Sequence, residues 1–222
     1  MSVTMISRLV PDSTVRTEAS LIPKTERITI PHRYLSVRRW LEVFLIIALF
    51  PLVVSVCLVI AILISFESKG GVLFVQRRPG KNGIFFRMYK FRTMYSNSSE
   101  EKLAMEADDR ITGLGRFLRK YRLDELPQLW NVLSGEMSII GPRPVPYNFY
   151  NVYLKEVPGY KLRHLIKPGI TGLAQVLQGY TRTVDEERMK FTYDLYYINN
   201  ISFKMDLSIM RRTVLHIVKG KS

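Results

Sequence analysis

The sequence predicts an α-rich α+β fold carrying a membrane-embedded helix near its N-terminal end. Three observations predict it. Val43–Phe66 is an uncharged apolar run of 24 residues, Val72–Met94 holds two aromatic-rich strand segments, and helical patterns dominate after residue 95. The organisation that follows is a lead-in over 1–36, a membrane-embedded helix over 37–68, and a mostly helical domain with a β-hairpin over 69–222.

Composition sets the outer bounds. Lysine and arginine number 33 against 19 acidic residues, a formal charge of +14, which calls for anionic partners such as phosphorylated molecules or an acidic membrane surface. No helix-turn-helix, zinc or RNP-type signature accompanies the charge, so nucleic acid is not an expected partner. Cys57, the single cysteine, excludes an internal disulfide and a cysteine-based metal site. His32, His164 and His216 are scattered singly, as surface or packed histidines usually are.

As a helix, the run "VFLIIALFPLVVSVCLVIAILISF" rises about 36 Å, enough for a hydrocarbon core of about 30 Å. It lies too far from the N-terminus, and is too long, for a cleaved signal. Basic residues stand on both flanks: Lys24, Arg27, Arg33, Arg38 and Arg39 before it, Lys69, Arg77, Arg78, Lys81, Arg87, Lys90 and Arg92 after it. Each flank therefore qualifies as the cytoplasmic side. Pro51 favours a bend by removing a backbone donor. A bent helix returning to its own side satisfies both flanks; a single-pass helix with a tolerated proline is the alternative left open by these residues.

Beyond the run, "VLFVQRRPGKNGIFFRMYKFRTM" reads as two strands around Pro79-Gly80 and Asn82-Gly83. Ser98, three residues before Glu101, suits a capping box opening a short helix. "TGLGRFLRKY" spaces Leu114, Phe117, Leu118 and Tyr121 along one helical face and leaves Arg116, Arg119 and Lys120 around the rest. "KMDLSIMRRTVLHIVKG" has the mixed apolar and basic character of an amphipathic helix.

Between these helices lies "RLDELPQLWNVLSG". Pro127 belongs in a first helical turn, which makes Asp124 an N-cap and puts Glu125 just inside. A bare cap is the plain reading. The chemical reading is that a helix N-terminus and nearby arginines keep Asp124 charged, as a nucleophile or a ligand for a hard cation must be. "GPRP" confines Arg143 between two prolines, stiff enough for a bidentate grip on phosphate or simply a rigid surface turn. "KPGITG" is a second stiff turn that places Lys167 beside glycines whose amides can approach an anion.

In their order, "FVQRRPGKNGIFFRMYKFRTM", "RLDELPQLWNVLSGEMSIIGPRP", "KPGITGLAQV" and "YDLYYI" resemble the bacterial sugar transferases, the monotopic phosphoglycosyl transferases, from about Arg38 to the C-terminus. The resemblance implies a re-entrant membrane helix and a catalytic domain on the cytoplasmic face of a bacterial inner membrane. It implies transfer of a sugar-1-phosphate from a UDP-sugar to a polyprenyl (undecaprenyl) phosphate, with UMP released, as the first step of exopolysaccharide, capsule or other surface glycan assembly. On matching positions it makes Asp124 the nucleophile and Glu125 its acidic partner, both toward Mg²⁺. Lys90, Arg119 and Arg143 fall where the family handles phosphate, and Lys167 joins them as a substrate-binding candidate. The bilayer and a second copy of the chain complete the expected partners. Glu42 stands where the family usually has an aspartate.

Overall fold

The structure, a computed structural model, describes residues 28–95, 108–178 and 183–220. Ser98–Glu101, the expected capping box, lies outside the described residues.

The apolar run forms two helices rather than one. α1 spans His32–Ala48 and α2 spans Phe50–Glu67, with Leu49 between them. Pro51 sits in the first turn of α2, where its missing N–H interrupts the helical ladder. α1 starts within the expected lead-in, so the boundary drawn at residue 37 falls inside a helix. α2 is long and apolar enough to cross a membrane, with mean hydropathy 2.5, and only 11% of it is buried.

Both helices pack on the domain that follows. Ile46 of α1 is buried with Phe86, Met88, Val132 and Met137, whereas Ile60 and Ile64 of α2 are buried with Phe91 and Leu118. Polar contacts add to this. Arg38 donates to Asp206 at 2.9 Å and to Ser138 at 3.0 Å. Arg39 donates to the carbonyls of Val132 and Leu133 at a helix C-terminus, where the last carbonyls lack helical partners. Glu42 is buried and accepts from the Ser138 hydroxyl at 2.5 Å and the Ile139 amide at 3.0 Å. The carboxylate at position 42 therefore reaches its partners with a glutamate's extra methylene. At the far end, Glu67 accepts the Leu114 amide at 2.8 Å.

The hairpin is as expected. β1 (Leu73–Pro79) pairs antiparallel with β2 (Phe85–Phe91) through a 3₁₀ turn at Lys81–Gly83. Asn82 and Gly83 both take positive φ, at 57° and 76°, which asparagine and glycine accept at least cost. After α3 (Gly113–Lys120) and α4 (Gln128–Leu133), β3 (Ser138–Ile140) pairs in parallel with β4 (Gly169–Thr171). This second sheet was not anticipated: "KPGITG" contains a strand rather than only a turn. An ideal Cβ on Gly169 would lie 2.1 Å from the Gly141 amide nitrogen, so only glycine permits this approach. α5 (Tyr147–Glu156), α6 (Leu173–Leu177), α7 (Val184–Asn199) and α8 (Phe203–Val218) complete the domain. A core of Ile140, Ile166, Leu173, Tyr197, Ile198 and Ile209 joins β3 to the last three helices.

Candidate active site

α3 begins on Thr112, whose hydroxyl accepts the Gly115 amide at 2.9 Å. A Cβ on Gly115 would stand 2.2 Å from the Thr93 carbonyl, so glycine lets α3 close on the chain leaving β2. That approach brings Arg119 Nε within 2.8 Å of Thr93 Oγ1. Leu118 is buried as the helical spacing predicts, but Phe117 is 53% exposed and leaves the expected inward face.

The chain then turns sharply. Arg122 adopts φ 58° and ψ 19°, a left-handed conformation costing a non-glycine residue about 1–2 kcal/mol. A 3₁₀ turn at Leu123–Glu125 follows, and α4 starts only at Gln128 without a side-chain cap. Asp124 is therefore not an N-cap. The left-handed Arg122 displaces it from the helix entrance, and the plain structural reason for an aspartate here is gone.

The two acids share burial, at 6% and 5% exposure, and differ in how closely their partners hold them. Glu125 is saturated. Lys90 Nζ lies 2.9 Å from its Oε1, Arg143 donates to both of its oxygens, and Arg122 stands at 3.8 Å. Asp124 has Lys90 at 3.8 Å, and among the described residues nothing donates a hydrogen bond to its carboxylate. Burial pushes the Asp124 carboxyl above the usual aspartate range, against the pull of Lys90 and with Glu125 adding to the rise. Burial acts upward on Glu125 too, but Arg143, Lys90 and Arg122 outweigh it and hold that carboxyl well below its usual range.

Three of the four cations expected at the site are brought to the acids: Lys90 and Arg143 by direct pairing, Arg119 by its electrostatic effect on Asp124. Lys167 faces another way. Its Nζ stands 3.4 Å from where a Gly135 Cβ would be, and its charged neighbours are Arg39, Glu42 and Lys81.

Two further arginines shape the site. Arg78 is bonded to Gln76, donates to the Pro144 carbonyl and acts electrostatically on Lys90. Strand alternation held the signal, because Phe74, Gln76 and Arg78 share the less exposed face of β1. Arg163 donates to the Arg143 carbonyl at 3.0 Å while its own charge is met by Glu187 at 2.9 Å and Asp194 at 2.6 Å. The "GPRP" turn is thus clamped on successive carbonyls by two guanidinium groups. Arg163 gave no signal in sequence, since its partners lie 24 and 31 positions away.

Around Asp124 and Glu125 stand Lys90, Arg78, Arg119, Arg122 and Arg143. Five cations against two acids leave a positive excess suited to a multiply charged anion. Among the described residues no cluster of three His, Cys, Asp or Glu side chains could enclose a metal ion.

Residues 33–220 match the bacterial sugar transferase family, and the chain belongs to that family. It is 42% identical over 189 residues to the UDP-N-acetylgalactosamine-undecaprenyl-phosphate N-acetylgalactosaminephosphotransferase of Aeromonas hydrophila, covering 84% of this chain and 45% of that protein. It is 41% identical over 181 residues to a UDP-glucose:undecaprenyl-phosphate glucose-1-phosphate transferase of Caulobacter vibrioides, covering 80% and 68%. An exopolysaccharide production protein of Rhizobium leguminosarum bv. phaseoli is 38% identical over 196 residues, covering 84% and 98%. The chain thus spans less than half the length of the Aeromonas protein and almost all of the Rhizobium one.

Proposed function

We propose that this protein transfers a sugar-1-phosphate from a UDP-sugar to a polyprenyl phosphate at a membrane surface, through a covalent intermediate on Asp124. The contrast between the acids carries the reading. Asp124 is the carboxylate with lone pairs uncommitted, and Glu125 is the one committed to cations. An Asp124 oxygen attacks the phosphorus bearing the sugar, the bond to the bridging oxygen breaks, and UMP leaves with that electron pair. The acceptor phosphate then attacks the same phosphorus, the aspartyl bond breaks, and the Asp124 carboxylate is restored beside a polyprenyl diphosphosugar.

Lys90 and Arg143 supply the charge that lets one anion approach another. Glu125 keeps both in place before the donor arrives. With its carboxyl held far below neutrality, it is a poor general base, and an ionised acceptor phosphate requires none. Mg²⁺ would be held by the open carboxylate of Asp124, whereas Glu125, expected as a second ligand, has both oxygens committed to Lys90 and Arg143. Bound there, it would neutralise the diphosphate and steady the departing UMP.

The membrane segment acts as a re-entrant anchor in this proposal. Its support is that Arg38, Arg39 and Glu42 before the apolar run and Glu67 after it all bond to the same domain. Single cysteines near each terminus, on a Cys57→Ser background, should both resist an impermeant thiol reagent in intact cells. Labelling of the N-terminal site alone would establish a spanning helix.

The reaction and its sugar are tested directly. Purified protein with polyprenyl phosphate and Mg²⁺ is given a panel of UDP-sugars, hexoses and N-acetylhexosamines among them. At least one should yield UMP and a lipid diphosphosugar together. Release of neither product from any of them would defeat the proposal.

A further inference from the structure

A cavity of about 150 Å³ opens beside the acid pair, with Arg122 and Glu125 forming part of its wall. Leu126, Leu129, Val176 and Ile217 give it a hydrocarbon lining. Its polar members are Arg122, Glu125, Thr171, Gln175, Thr213 and His216, and among the described residues the Gln175 Oε1 is buried without a hydrogen-bond partner. Thr171 and Thr213 share a hydrogen bond of 2.7 Å, and Gln175 donates to the Ile170 carbonyl at 2.9 Å. What remains accessible inside is mainly apolar, and apolar cavities of roughly this size take up benzene-sized hydrocarbons.

We propose that this cavity receives the first isoprene unit of the lipid acceptor, with Arg122 facing the acceptor phosphate. The inference rests on the function proposed above and adds a location for one substrate. Two substrates must reach Asp124, and they differ in what flanks their phosphates. A UDP-sugar presents ribose on one side and a sugar on the other, and hydroxyls set against the hydrocarbon part of this wall would lose their hydrogen bonds to water. A polyprenyl phosphate presents hydrocarbon from its first carbon. The second matches the hydrocarbon lining of Leu126, Leu129, Val176 and Ile217, with the charged groups of Arg122 and Glu125 at the same wall.

Continuity with the bilayer supports the same occupant. Thr213, His216 and Ile217 of α8 face the cavity, and the neighbouring face of α8 exposes Phe203, Leu207, Val214 and Val218. Arg211 and Lys219 are exposed beside this stripe, the arrangement by which an amphipathic helix lies in an anionic membrane surface. With α8 lying in the membrane surface, a chain drawn from the bilayer would pass this helix on its way to the cavity. Arg122 is a wall residue whose side chain is partly exposed, and its hold on Glu125 is a loose 3.8 Å.

Two measurements test the placement. Ile217→Trp fills the cavity from one wall. The Michaelis constant for polyprenyl phosphate should rise tenfold or more, while UMP released in a single turnover without acceptor keeps its rate. An unchanged acceptor constant, or a rise in the constant for the UDP-sugar instead, would overturn the proposal. The second measurement needs no variant. Farnesyl phosphate carrying a diazirine on its first isoprene unit is irradiated with the wild-type protein in nanodiscs. Label on the peptides bearing Leu126, Val176 or Ile217 is expected, and label confined to α2 and the outer face of α8 would contradict it. Because cross-linking requires no turnover, it reports on the cavity even if no UDP-sugar proves to be a donor.

Discussion

Asp124→Asn should lower turnover by three orders of magnitude or more, on the order of 4 kcal/mol in the barrier, and leave the melting temperature nearly unchanged. The two halves of this expectation have separate causes. Activity falls because an amide oxygen neither attacks phosphorus usefully nor ligates a hard cation well. Stability holds because the Asp124 carboxylate accepts no hydrogen bond among the described residues and meets Lys90 only at 3.8 Å. Removing its charge also removes a buried anion whose ionisation burial opposes. A variant that kept near-normal turnover would return Asp124 to a structural role, although the cap that would have supplied one is absent. A variant that lost activity by unfolding would contradict the isolation described for this carboxylate.

Arg143→Lys should reduce kcat/KM tenfold to a hundredfold, about 1–3 kcal/mol of transition-state stabilisation. The substitution keeps the charge and loses the fork. Arg143 spans both oxygens of Glu125 and also donates to the Ile170 carbonyl at 3.1 Å, a three-point geometry that one ammonium cannot reproduce. Arg163 and Arg78 hold the turn's carbonyls from either side, so the backbone should remain in place while the side chain changes. Steady-state kinetics over both substrates would check this. Unchanged values would remove Arg143 from the phosphate-handling group.

Much of this site could be read from sequence because its signals are local. Asp124 and Glu125 adjoin, "GPRP" constrains its own arginine, and the hairpin that presents Lys90 is marked by Pro79-Gly80 and Asn82-Gly83. The amphipathic α8 and the inward Leu118 of α3 follow from periodicity alone. Other features depend on contacts that spacing does not encode. Nothing local distinguishes Asp124 from Glu125; the difference arises when Lys90 and Arg143 converge on one acid from 35 and 18 positions away. The cap assigned to Asp124 failed because an arginine, not a glycine, takes the left-handed turn at 122. Lys167 was drawn in by adjacency to glycines, but those glycines serve the close pairing of β3 and β4. The apolar run announced one helix, and only Pro51 hinted at two.

Mass spectrometry of the intact protein tests the central claim most directly. The enzyme is supplied with Mg²⁺ and a productive UDP-sugar, without any lipid acceptor. The account predicts up to one equivalent of UMP released and a matching gain of one sugar phosphate in the protein. Fragmentation should place the added mass on Asp124, and later addition of polyprenyl phosphate should discharge it into a lipid diphosphosugar. UMP release that begins only when the acceptor is present, with no adduct at any time, would mean direct transfer between substrates and would contradict the account.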